Sequence, residues 1–111
     1  MSTPQTARDI IHSLPDRFKP ETVDADLDKT FHFKLSGDNG GEFTARVHDQ
    51  TCEVQDGLHG EPDCVVQAKD SVYRDIELGE QNAQMAFMMG KIKISNIGAM
   101  LKFIESFERL H

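Results

Sequence analysis

From Lys29 to Ala68 apolar and polar residues alternate in four short runs, and this period of two is the strongest constraint on the fold. Phe31, Phe33 and Leu35 share one face of the first run, while Thr30, His32, Lys34 and Ser36 share the other. In the second run Phe43, Ala45 and Val47 alternate with Thr44, Arg46 and His48; Cys52 with Val54, then Cys64, Val66 and Ala68, continue the pattern. Strands with one polar face belong to a sheet covered on one side only, as antiparallel sheets commonly are, so the other side is expected to meet water. Gly37-Asp38-Asn39-Gly40-Gly41 tolerates positive φ and predicts a hairpin between the first two runs. A loop of those five residues pairs Leu35 with Phe43 and Phe31 with Val47, a register that a one-residue slip would destroy. Asp49-Gln50, and then Asp56-Gly57, Gly60 and Pro62, mark further turns, so the spacing predicts a meander.

The flanking segments have helical spacing. Thr3 as N-cap and Pro4 at the first helical position open a pattern with Ala7, Ile10, Ile11 and Leu14 on one stripe, which Pro15 ends or kinks. Lys69-Asp70-Ser71 opens a short helix bearing Val72, Tyr73 and Ile76, stopped by Gly79; a second, Glu80 to Met89, is stopped by Gly90. These two are candidate lids. Lys91 to Ile94 alternates as a fifth strand, and Asn96 caps a final helix with a wide apolar face: Ile97, Met100, Leu101, Phe103, Ile104, Phe107 and Leu110.

A chain of 111 residues suits one domain, 1–111, with one core. No run of about 18 apolar residues could span a bilayer, MSTPQTARD lacks a signal core, and the final Glu108-Arg109-Leu110-His111 is not a Ser-Lys-Leu address; a cytoplasmic protein is expected. Nineteen acidic residues against twelve Lys and Arg leave a net charge of −7, which repels nucleic acid and an anionic membrane surface overall.

Catalytic signals are scarce. His32 and His48 fall on the polar strand faces, where solvent exposure is expected and no spacing supplies further metal ligands. Cys52 and Cys64 fall on the apolar face, away from any histidine base, and read as reduced, buried thiols. The glycines of GDNGGEF match no phosphate-binding pattern. Met85, Met88 and Met89 share one helix face and Met100 opens the next, so four flexible thioethers are expected to aim at the sheet. They either fill gaps in a plain core or reshape around apolar guests.

Leu78-Gly79, followed by Ala86-Phe87-Met88-Met89-Gly90-Lys91-Ile92-Lys93-Ile94, resembles a run found in the sterol carrier protein type-two-like domains. Phe31 to Gly41, Phe43-Thr44, Pro62-Asp63 and Tyr73-Arg74-Asp75-Ile76 extend the resemblance over nearly the whole chain. The resemblance implies an α/β fold of the α+β type. A five-stranded, mainly antiparallel sheet is covered on one face by about four to five helices that enclose an apolar tunnel. It also implies non-catalytic binding of fatty acid, fatty acyl-CoA, phospholipid or sterol, with no cofactor and no integral membrane insertion. By position the tunnel wall is expected at Phe31, Phe33, Phe43, Val47, Cys52, Val54 and Val66 of the sheet. On the helical side it is expected at Phe87, Met88, Met89, Ile94, Met100, Leu101 and Ile104. Arg74, Lys91, Lys93 and Lys102 are candidate headgroup cations. Where many relatives have Gly-Asp or Gly-Asn after the last strand, this chain has Ser95-Asn96-Ile97-Gly98. Two other readings stay open: a homodimer formed through Phe103, Phe107 and Leu110 of the final helix, and an accessory module that presents lipid to a separate enzyme.

Overall fold

The computed structural model describes residues 6–107. Five strands form one mixed sheet: β1 (Asp28–Ser36), β2 (Gly41–His48), β3 (Thr51–Asp56), β4 (Cys64–Lys69) and β5 (Ile92–Ile94), in the order β3-β2-β1-β4-β5. β1 pairs antiparallel with β2 and parallel with β4, so the expected meander is replaced by a crossover that carries the chain from edge strand β3 over to the far side of β1.

The apolar parity of every strand is as the alternation predicts, and Phe31, Phe33, Leu35, Phe43, Ala45, Val47, Cys52, Cys64 and Val66 are all buried. The hairpin register differs by two residues from expectation: Phe33 lies opposite Phe43 and Phe31 opposite Ala45. The reason is a tighter loop. The amide of Gly40 donates to the Gly37 carbonyl at 3.2 Å, and an added Cβ on Gly40 would run into the Leu35 carbonyl, so only glycine closes this turn. A shift of two preserves side-chain parity, which is why the faces survive.

The crossover also corrects the placement of His32. Residues 57–60 lie over the polar face of β1 and β2, burying His32 and Thr44. His32 donates from Nε2 to the His59 carbonyl at 2.9 Å; Thr44 Oγ1 donates to the Gly57 carbonyl at 2.8 Å and accepts from the His59 amide at 2.9 Å. His32 is thus a buried clasp, and its removal would leave a carbonyl unpaired. His48 stays nearer the surface, between Asp49 and Glu53.

Five helices accompany the sheet: α1 (Ala7–His12), α2 (Leu14–Arg17), α3 (Asp70–Glu77), α4 (Ala83–Met88) and α5 (Ile97–Glu105). Thr6 caps α1 by accepting from the Asp9 amide at 3.1 Å; the Thr3–Pro4 start expected for this helix lies outside the described residues. Asn82 and Asn96 cap α4 and α5, accepting from Met85 and Ala99 at 3.0 and 3.1 Å. Gly79 and Gly90 follow α3 and α4 with φ of 79° and 75°, in the left-handed region that ends a helix. α4 is shorter than its sequence pattern suggests and contributes only Ala86 to the core.

Candidate functional site

Helical period makes α5 two-sided. Met100 and Phe103 of α5, with Phe107 just beyond its end, point inward and are buried; Ile97 and Leu101 are exposed on another side, and Ile104, half exposed, sits at the edge between them and reaches the interior. The inward stripe does not close fully on the sheet. A cavity of about 220 Å³ remains, bounded by Phe33, Val66, Ile92 and Ile94 of the sheet, Met100, Phe103, Ile104 and Phe107, and Leu14, Tyr73, Ile76 and Ala83 from the other helices.

The wall carries one ion pair. Arg17 Nη2 lies 3.3 Å from Glu77 Oε2, and the two side chains are only 11% and 24% exposed. Arg17 also donates from Nε to Ser13 Oγ at 3.0 Å and from Nη2 to the Ile10 carbonyl at 3.4 Å, which holds the guanidinium at the cavity edge. A charge so far out of water needs such partners. Beside it, burial pushes the Tyr73 phenol well above its ordinary range, so it stays protonated.

A second cavity, about 340 Å³, opens on the far side of Phe103 between β1, β2 and α5. Phe31, Val47, Val23, Leu27, Ala99 and Lys102 are among its walls, with Phe103 shared between the two. That ring packs against Phe31 at 4.3 Å and Phe107 at 4.6 Å between centroids, and acts as a partition.

Of the residues expected along a tunnel, Phe33, Val66, Ile94, Met100 and Ile104 line the first cavity, and Phe31 and Val47 the second. Phe43 is buried elsewhere, edge-on to the His12 ring at 5.6 Å, and Cys52 and Val54 lie on edge strand β3 and line neither cavity. Phe87, Met88, Met89 and Leu101 are exposed, at 39%, 77%, 63% and 57%. The three α4 methionines do share a face, but it looks away from the sheet. Phe103 and Phe107, expected at a dimer contact, are buried in the chain's own core, and Leu110 lies outside the described residues. Of the expected cations, Arg74, Lys91 and Lys93 line neither cavity. Arg17 and Glu77 were not singled out by sequence; the available signal was their spacing, Leu14-Arg17-Phe18 and Tyr73-Glu77, which sets each on an apolar helix face.

Both thiols are unpaired and buried. Burial pushes Cys52 up to about 12 from an ordinary 9.0, and raises Cys64 as well, whose thiol donates to the Asn96 carbonyl. The folded pKa of Cys52 exceeds the unfolded one, so its contribution to stability is complete below pH 9 and is lost as pH rises toward 12. Alkylation by iodoacetamide at pH 8 is expected to be slow in native protein and fast in urea; equal rates would place the thiols at the surface. Among the described residues no group of three or more His, Cys, Asp or Glu could hold a metal ion, and no helix is long and apolar enough to cross a membrane.

No curated protein sequence matches this chain. Solved structures share the fold: the sec-alkylsulfatase Pisa1 from Pseudomonas sp. (TM-score 0.76, 13% identity, over 91% of this chain), palmitated SCP2L2 from Aedes aegypti (0.62, 20%, 92% of this chain and 96% of that one), and the sterol carrier protein domain 2 of Helicoverpa armigera (0.54, 25%, 87% and 69%). The chain spans only 16% of the sulfatase's length. The sequence profile of the SCP-2 sterol transfer family matches residues 11–108, so the chain belongs to that family.

Proposed function

We propose that this chain is a single-domain, non-catalytic carrier of long-chain lipids: fatty acid, fatty acyl-CoA, phospholipid or sterol. The observation that carries the reading is the apolar cavity between the sheet and α5, with one partly buried ion pair on its wall. Apolar walls take the acyl chain at roughly 0.8 kcal/mol per methylene, and Arg17 offers charge to an acidic headgroup in competition with Glu77. At about 220 Å³ the resting cavity is below the roughly 300–1,000 Å³ of sites that enclose a drug-sized ligand. A long chain must therefore displace something. α4, held by Ala86 alone, is the element that opens at least cost, and Ala83 on it borders the cavity.

The test is displacement of a fluorescent fatty acid from delipidated protein by unlabelled long-chain acid, acyl-CoA and phospholipid. Binding in the micromolar range or tighter is expected. No binding below about 100 μM, some −5.5 kcal/mol, by any of them contradicts the carrier reading. A second reading is supported by one observation: in the sulfatase this fold is a small part of a larger enzyme chain. An accessory module would keep the cavity but deliver its lipid to a neighbouring catalytic domain.

A further inference from the structure

Fourteen described residues wall the first cavity, and only three of them bring a polar side chain: Arg17, Tyr73 and Glu77. Tyr73 and Glu77 stand about one turn apart on α3, so both side chains meet the same stretch of wall, and Arg17 comes to it from α2. The charges of Arg17 and Glu77 cancel, which leaves the wall with no net charge. Arg17 is held by Ser13, the Ile10 carbonyl and Glu77. Tyr73 differs from both. It is 6% exposed, its ring lies edge-on to Phe33 at 5.8 Å, and its hydroxyl has no hydrogen-bond partner among the described residues. Every side-chain oxygen or nitrogen that is fully sealed among those residues does have one. The phenol oxygen is therefore not sealed, and it opens on the cavity that its side chain walls. A polar group so deeply buried with no protein partner stands in want of one.

We propose that Tyr73 and Glu77 bind the head of a hydroxyl-headed lipid, a long-chain alcohol or a sterol, in preference to a fatty carboxylate. The proposal rests on the carrier reading and narrows it. A hydroxyl both donates and accepts. It accepts from the Tyr73 phenol, which burial first and the Glu77 charge second keep protonated and able to donate. It donates to the Glu77 carboxylate, whose oxygens accept more than one bond, so the pair with Arg17 survives. A carboxylate head has no proton to donate, and it brings a second negative charge beside Glu77 where water screens little. It reaches Arg17 only by displacing Glu77, which then stays behind unpaired. An ammonium head meets the same obstacle from Arg17. The apolar remainder of the wall takes the chain whatever the head, so the head decides among ligands of one chain length.

The experiment is native mass spectrometry of the delipidated full chain, at neutral pH, against an equimolar mixture of a fourteen-carbon primary alcohol, the carboxylic acid of the same length and its methyl ester, with cholesterol in a parallel titration. The alcohol is expected to outcompete the carboxylate about tenfold, and the ester, which accepts but cannot donate, to fall between them. Tyr73→Phe is expected to weaken the alcohol about fivefold and to leave the melting temperature of delipidated protein unchanged or higher, because the hydroxyl has no protein partner to lose. Glu77→Gln is expected to raise the affinity for the carboxylate about tenfold and so remove the preference. Cholesterol bound as tightly as the alcohol assigns the site to sterols as well; the alcohol without cholesterol assigns it to fatty alcohols, and either result supports the proposal. A carboxylate bound as tightly as the alcohol, or a Tyr73→Phe protein that keeps the wild-type preference or melts lower, overturns the proposal and leaves the carrier reading standing. Absence of all four ligands from the complex overturns both.

Discussion

Phe103→Ala is expected to lower stability by about 3–5 kcal/mol, the range for removing a buried aromatic ring whose surroundings relax only partly. The ring is 6% exposed and touches Phe31, Phe33 and Phe107, so no neighbouring helix can move in to replace it. Against a typical total of 5–15 kcal/mol the variant still folds at room temperature, with a midpoint lower by at least about 12 °C. Its second effect is larger in consequence. Phe103 separates the two cavities, and its loss joins them into one space that accepts a longer chain without displacing α4. Saturating long-chain acid at about 100 times its dissociation constant should then return some 2.7 kcal/mol. Calorimetry with and without lipid reads both. A loss under 1 kcal/mol, or no stabilisation by lipid, contradicts the role of Phe103 as a partition; Phe103→Leu provides the milder variant should the alanine form be too unstable to purify.

How far the fold is legible in sequence depends on which symmetry each element breaks. Strand faces were legible because parity is invariant to a shift of two: Phe31, Phe33, Phe43 and Val47 all point inward although the register is not the expected one. Register itself was not legible, since it rests on how closely Gly40 approaches Leu35, a tertiary distance. The parallel partner of β1 was equally hidden, because alternation does not say which strand a strand adjoins. For helices, period shows which side chains share a face but not where that face points. Met100 and Phe103 turn inward because α5 packs next to β4, with Phe103 against Phe31 and Phe33 of β1; Met85, Met88 and Met89 turn outward because Ala86 is the one buried core residue of α4. Arg17 and Glu77 meet across sixty residues of chain, a pairing that only the docking of α2 against α3 creates.

The central claim is that the first cavity is a binding site and not a packing defect, and Met100 separates the two. Its side chain is 6% exposed and faces the cavity from α5. In close-packed interior an enlarged side chain forces strained rotamers and backbone shifts, at about 1–3 kcal/mol. At a cavity wall it finds room. Met100→Trp should accordingly cost less than about 1 kcal/mol in delipidated protein, because the indole occupies volume that a lipid would fill, and should weaken long-chain acid binding at least tenfold. The deciding measurement is urea unfolding of delipidated wild type and variant, followed by lipid titration of both. Near-equal midpoints with binding lost is the expected result; marked destabilisation with lipid affinity retained would show that Met100 sits in ordinary core and that cargo, if any, binds elsewhere.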